Sequence, residues 1–226
     1  MKPKPRSFLR RVLRWLIALL LLPFVVAAGL ALFKTAGLLQ RDPAAWVGAV
    51  CGAISWLFCF WRLPKPMWVY VAGHELTHAL AGILCRSMPR SIKISSTGGK
   101  VVLPRTNFFI TLAPYFIPLY TLLWCFGVWL LEGPMGLPLP SFWVAFGFGL
   151  TYMFHVTLTL YILRIQQPDF VAEGHFFSIT LTVLANLVFL LLALGCLTHH
   201  SSVAVELTAW GVEVMNVFRW LLRLAT

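Results

Sequence analysis

The chain has 226 residues, of which 60% are hydrophobic and only 11% charged, and its mean hydropathy is +0.84. These values exclude an ordinary soluble domain, in which about half of the residues are apolar and about a quarter are charged. The net charge of +11 does not indicate nucleic-acid binding, because the lysines and arginines flank apolar segments, where anionic lipid headgroups account for them. We therefore expect an integral membrane protein whose surroundings are the lipid bilayer, with no nucleic-acid partner.

Six nearly charge-free segments are each long enough to cross a bilayer as a helix, which takes about 20 residues. Because lipid offers the backbone no hydrogen-bond partners, such segments must be helical. The sequence predicts an all-α polytopic protein, a bundle of about six transmembrane helices, and we expect it in a bacterial cytoplasmic membrane. The segments are residues 15–33, 44–61, 67–85, 108–131, 141–163 and 176–197.

The third segment carries an ionisable cluster in the stretch AGHELTHALAGI, residues 72–83. Burying a carboxylate at membrane depth costs at least about 2.5 kcal/mol, so such a cluster indicates a function. His74 and His78 are four residues apart and share a helix face, where both can bind one zinc ion. Zinc lowers the pKa of a bound water toward about 7, and Glu75 would accept its proton. The pattern predicts a Zn²⁺ cofactor, two histidine ligands and a catalytic base; the alternative is that the three residues only hydrogen-bond neighbouring helices.

A short polar stretch, RSIKISSTGGKVVLP at residues 90–104, follows this segment. It alternates apolar and polar residues on either side of Thr97-Gly98-Gly99-Lys100, which is typical of a β-hairpin. We therefore expect one small membrane-associated hairpin in an otherwise helical protein.

Three features together resemble the site-two protease family of intramembrane zinc metalloproteases: HELTHALAG within a span, the hairpin that follows it, and QQPDF at residues 166–170. The resemblance covers roughly residues 74–192, about half of the chain. In that family a β-loop at this place is thought to hold the substrate in extended form, as an added strand. The resemblance therefore implies that the hairpin edge binds substrate through Ile92, Ile94, Val101 and Leu103.

The family's second motif contains a proline followed by an Asp-Gly pair whose aspartate is the third zinc ligand. Pro168-Asp169 matches part of it, whereas Phe170 stands in place of the glycine. The resemblance thus implies Asp169 as the third ligand. Considered by itself, Asp169 could instead cap a helix that starts at Pro168, and His175 or Glu173 could replace it as ligand. His155, within a span, is more typical of a hydrogen-bonded packing residue.

Taken together, these residues predict an intramembrane zinc metalloendopeptidase that cleaves a transmembrane or membrane-adjacent protein. We divide the chain into a basic N-terminal part with two apolar helices (1–66), the metalloprotease core (67–198) and an interfacial amphipathic helix (199–226). One alternative is a non-catalytic scaffold or pseudoprotease that binds helices. Another is a CAAX-type membrane metalloprotease, in which a downstream glutamate such as Glu132 or Glu173 would be the third ligand. The sequence does not predict the substrate or the oligomeric state.

Overall fold

The computed structural model describes residues 8–38, 42–95, 97–164, 168–197 and 202–225. Two compact units are distinguished, one formed by Met1–Pro43 with Pro168–Thr226 and the other by Ala44–Gln167. Within the described residues the chain forms nine helices and one two-stranded antiparallel sheet, so the helical class and the small hairpin expected from the sequence are confirmed. The elements are α1 (Phe8–Leu38), α2 (Pro43–Arg62), α3 (Met67–Leu84), β1 (Ser91–Ser95), β2 (Gly98–Val102), α4 (Phe108–Phe116), α5 (Leu119–Glu132), α6 (Ser141–Leu163), α7 (Pro168–Glu173), α8 (His175–Leu197) and α9 (Val203–Ala225).

Four of the described helices, α1, α2, α6 and α8, are long and apolar enough to cross a membrane, and α4 with α5 would add a fifth as one bent span. This pair is bent by 69°, because Ile117 precedes Pro118 and takes an extended conformation (φ −99°, ψ 103°) that ends α4. By length and composition, the described helices therefore provide four or five candidate spans, fewer than the six expected from the sequence. The α3 helix falls short because its polar residues, His74, Glu75, Thr77 and His78, lower its hydropathy.

In the first unit, α9 runs antiparallel to α1. The Thr35 hydroxyl, near the C-terminal end of α1, donates a 2.8 Å hydrogen bond to the carboxylate of Glu206, in the first turn of α9. Further back along α1, the ring of Phe24 packs edge-on against Phe218, near the other end of α9, with 5.9 Å between centroids. The two helices thus lie side by side over several turns.

The two glutamates of α9 face α1 rather than the surroundings. Glu206 and Glu213 are only 1% and 6% exposed, and the Lys34 ammonium pairs with Glu213 at 2.5 Å. A buried carboxylate needs such partners, because isolated charge is costly away from water. The interfacial position of this helix stays a prediction. Its exposed side chains are largely apolar and include Val205, Val212, Met215 and Leu222.

In the second unit, two glycines let α2 approach α6 closely. A Cβ atom at Gly48 would lie 2.2 Å from the Phe142 carbonyl oxygen, and one at Gly52 would lie 2.0 Å from that of Phe146. Small residues at helix interfaces allow this separation in membrane proteins, where packing rather than water exclusion drives association. The α6 helix also carries Phe154, which packs against α3 and so belongs to the surroundings of the ionisable cluster.

Candidate metal centre

The α3 helix, which carries the cluster, has clear structural reasons to begin and end where it does. Pro66 precedes its first residue, a favourable place for a residue without an N–H group. At the other end Arg86 adopts a left-handed conformation (φ 56°), and the Ser87 amide donates a 2.8 Å hydrogen bond to the Gly82 carbonyl. This is the hydrogen-bond pattern of a helix stop followed by a sharp turn. The chain therefore leaves α3 directly into the hairpin.

His74 and His78 lie on one face of α3, as their spacing predicts. Their ring centroids are 4.8 Å apart, and a ligand nitrogen of one lies within 4.8 Å of a ligand nitrogen of the other. Two zinc ligands at about 2.0–2.1 Å from a shared ion can be separated by at most about 4.2 Å, so small rotamer changes are sufficient. The ring of Tyr115 packs edge-on against His74 at 5.3 Å and limits its rotation. The pair could hold a metal ion.

The imidazole of His78 is held in one orientation by α4. Its Nδ1 lies 2.7 Å from the carbonyl oxygen of Ile110. Because a carbonyl can only accept, the proton must be on Nδ1, and the neutral ring then carries its lone pair on Nε2. Histidine ligands in proteins commonly bind a metal through one nitrogen and donate from the other in this way. The hydrogen bond therefore selects the tautomer that a zinc ligand needs.

A side-chain cap fixes the position of Ile110. The side-chain oxygen of Asn107, the N-cap residue of α4, accepts a 2.8 Å hydrogen bond from the Ile110 amide. Ile110 itself is only 2% exposed and packs against Ala81 of α3. The carbonyl that orients His78 thus belongs to a buried residue with a fixed amide.

Glu75 is 7% exposed and lies directly beneath the hairpin. A Cβ atom at Gly99 would lie 2.4 Å from Cγ of Glu75 and 2.7 Å from Oε1, distances that no real side chain shows. Only glycine lets the backbone of β2 approach the carboxylate so closely. The hairpin and the carboxylate therefore form one packed unit beside the two histidines.

The hairpin presents one face to α3. Its register pairs Ile92 with Val101 and Ile94 with Gly99, so these side chains share that face. Ile94 packs on the core that includes Tyr70 and Phe154, and a Cβ atom at Gly82 would lie 2.6 Å from Leu103. The predicted substrate-binding residues Ile94 and Leu103 thus attach the hairpin to the protein. A substrate role for Ile92, Ile94, Val101 and Leu103 stays a prediction.

Asp169 lies in the first turn of α7 and belongs to the other compact unit. Because α7 begins at Pro168, Asp169 lies inside the helix rather than at its N-cap, and a carboxylate in a first helical turn interacts favourably with the helix dipole. Its role as third zinc ligand stays a prediction. The motif residues Gln166 and Gln167 lie outside the described residues.

The other candidate ligands have identifiable surroundings. Glu173 forms an ion pair with Arg14, whose guanidinium also donates to the Glu173 carbonyl oxygen at 2.6 Å, which indicates a structural role. Glu132 accepts a 3.3 Å hydrogen bond from the Leu139 amide and closes the loop after α5. His175 is the first residue of α8.

His155 is buried in α6 and lines the same small cavity as His74. The cavity has a volume of about 20 Å³, which is enough for one water molecule. Tyr70, Thr77 and Tyr120 also line it, together with the break between α4 and α5. Membrane proteins tolerate irregular backbone where it lines such a cavity.

Sequence reasoning missed three contributors to the site: the Ile110 carbonyl, the Asn107 cap and Gly99. Asn107 precedes an apolar run and could have been recognised as a helix start. The other two depend on contacts with residues 24 to 32 positions away in the chain, for which the sequence has no local signal.

In comparisons with known proteins, no family model, curated protein or solved structure matched the chain.

Proposed function

We propose that the protein is an intramembrane zinc-dependent endopeptidase that hydrolyses a peptide bond in a transmembrane or membrane-adjacent protein. The observation that carries the proposal is the oriented imidazole of His78, whose Nδ1 donates to a buried carbonyl beside His74 and the buried carboxylate of Glu75. This is the arrangement in which a metal-binding histidine donates from one ring nitrogen and offers the other to the ion, and Glu75 adjoins the pair on the same helix as a candidate base.

In this proposal His74 and His78 hold the ion, which when bound would supply a Lewis acid and lower the pKa of water. Glu75 accepts the proton of the attacking water as its oxygen bonds to the peptide carbonyl carbon. The same carboxyl then gives a proton to the amide nitrogen as the C–N bond breaks, which yields a new carboxyl and a new amino end. Burial of Glu75 under β2 keeps this carboxyl in place during both transfers.

The hairpin supports the choice of a peptide substrate. A two-stranded sheet has unpaired edges to which an extended chain can add as another strand. A transmembrane helix hides its peptide bonds in its own hydrogen bonds, whereas an added strand exposes them. Because β2 contacts Glu75 at Gly99, a chain on the hairpin would pass close to the base.

Zinc content tests the proposal. The purified protein should carry about one zinc per chain, as measured by plasma mass spectrometry, and Asp169→Ala should weaken zinc retention and abolish cleavage of a membrane-protein reporter. Asp169→Asn should keep much of any capping role but bind zinc poorly.

Background zinc in the unmutated protein would refute the metalloprotease proposal as a whole. Normal zinc in both Asp169 variants, together with loss in His155→Ala or His175→Ala, would refute only the assignment of the third ligand. His155 is the sharper comparison, since it lines a cavity with His74.

Gly99→Val should lower the cleavage rate by about 100-fold while zinc stays bound. The new side chain cannot coexist with Glu75 at 2.4 Å, so the carboxylate or the strand must shift by about an ångström, and such a misplacement costs about this factor. Lys100→Val is the matched control, because residue 100 is adjacent in β2 and points to the opposite face. Equal rates for the two variants in the same reporter assay would show that the contact with Glu75 is unimportant.

A further inference from the structure

We propose that Pro114 is a positioning residue for the metal centre: by withholding a backbone N–H from the Ile110 carbonyl, it leaves that oxygen as the acceptor for His78. The inference rests on the proposed function for the role of zinc, although the hydrogen-bond arrangement can be tested without metal. Pro114 is buried inside α4 and lies in neither of the two sequence motifs that point to zinc.

The spacing along α4 deprives the Ile110 carbonyl of its helical hydrogen bond. In an α-helix the carbonyl of each residue accepts from the amide four residues later. For Ile110 that residue is Pro114, which has no N–H group. The Ile110 carbonyl therefore lacks its ordinary helical donor even though it lies within the helix.

The Ile110 carbonyl oxygen instead lies 2.7 Å from His78 Nδ1. Away from water an unsatisfied carbonyl is costly, and an imidazole N–H without an acceptor is costly as well. Each group thus satisfies the other. With an ordinary residue at position 114, the same oxygen would be shared between a helical amide and the imidazole.

The same hydrogen bond determines which nitrogen of His78 is available to a metal ion. Donation from Nδ1 leaves Nε2 with the lone pair, whereas a ring freed from Ile110 can exchange tautomers and rotate. The Asn107 side chain accepts a 2.8 Å hydrogen bond from the Ile110 amide, and His78 contacts the Ile110 carbonyl. Side chains therefore hold both backbone polar groups of Ile110. Pro114 acts through Ile110 on His78 and is not itself expected to touch zinc or substrate.

Pro114→Ala tests the inference on the full-length protein in detergent. Zinc affinity, measured by competition with a chelator, should fall about 10–100-fold, the usual effect of losing a supporting partner of a metal ligand. The thermal unfolding midpoint should stay equal or rise, because proline is unfavourable within a helix. A proline with a merely structural role would give neither the selective loss of affinity nor a stable protein with a weakened site.

Two further variants separate the N–H group from the ring. Lactic acid at position 114 has the side chain of alanine but an ester oxygen in place of the N–H, and it should restore zinc affinity to within about threefold of the unmutated protein. Pro23→Ala, which alters a proline within α1, is the control and should leave zinc affinity unchanged within about twofold.

Nitrogen-15 spectra of labelled histidine in the metal-free protein provide a second readout. His78 should be the Nδ1–H tautomer in the unmutated protein and a mixture in Pro114→Ala. Zinc affinity within twofold of the unmutated value in Pro114→Ala, or an unchanged tautomer, would overturn the inference. If the unmutated protein bound no zinc, the proposed function would fail, and the tautomer alone would still decide the role of Pro114.

Discussion

Glu75→Gln should abolish peptide hydrolysis while leaving zinc in place. Glutamine keeps the size and polarity of the side chain, so the packing beneath Gly99 is preserved, but an amide cannot accept the proton of the attacking water. General acid–base catalysis alone is worth about 10²–10⁴-fold, and the same group serves both transfers in the proposed reaction, so we expect a loss at or above this range. Cleavage of a membrane-protein reporter and the zinc content of the same preparation are the measurements.

The same variant should accumulate its substrate uncut. The hairpin edges are unchanged, so an extended chain can still pair with them and can be identified by crosslinking and mass spectrometry. Glu132→Gln is the matched control, because that glutamate accepts a hydrogen bond from the Leu139 amide at the end of α5. Full activity of Glu75→Gln, or loss of both zinc and substrate, would mean that Glu75 is not the base.

His78→Ala should lose zinc and, with it, all cleavage. The substitution removes one ligand nitrogen and also leaves the Ile110 carbonyl without the imidazole that it contacts at 2.7 Å. Zinc affinity should therefore fall by more than the 10–100-fold that follows the loss of a supporting hydrogen bond alone. Zinc per chain after dialysis against a chelator measures the effect.

Leu76→Ala provides the control, because this residue lies on α3 two positions from each histidine, on another face, and its side chain is exposed. A His78→Ala protein that retained stoichiometric zinc would exclude the predicted pair of ligands. His74→Ala should behave like His78→Ala, since the two imidazoles share one face.

Local chemistry explains which features could be predicted from the sequence. The hairpin was predictable because alternating residues surround Thr97-Gly98, and the structure pairs Ser95 with Gly98 next to this turn. The shared face of His74 and His78 follows from helical periodicity alone. Both patterns depend on residues within a few positions of each other.

Features that depend on distant contacts were not predictable. The division of segment 108–131 into α4 and α5 is not such a feature, because Pro118 by itself predicts that Ile117 leaves the helix. The charges of α9 indicated an amphipathic helix, but the pattern could not show that Glu206 and Glu213 turn towards Thr35 and Lys34. Hydrophobicity identifies the faces of a helix, not the neighbours they meet.

Under the proposed function, the contact between Gly99 and Glu75 would also determine where along a bound chain the cut is made. Successive residues of an added strand advance about 3.3 Å, and their peptide groups alternate in direction. Under the proposed function, the carboxylate therefore meets one peptide group in a given register, and a slip by one residue presents the next group facing the other way. The position of the cut would then depend on the backbone register of the bound chain relative to Gly99. It would depend little on which side chains the substrate carries.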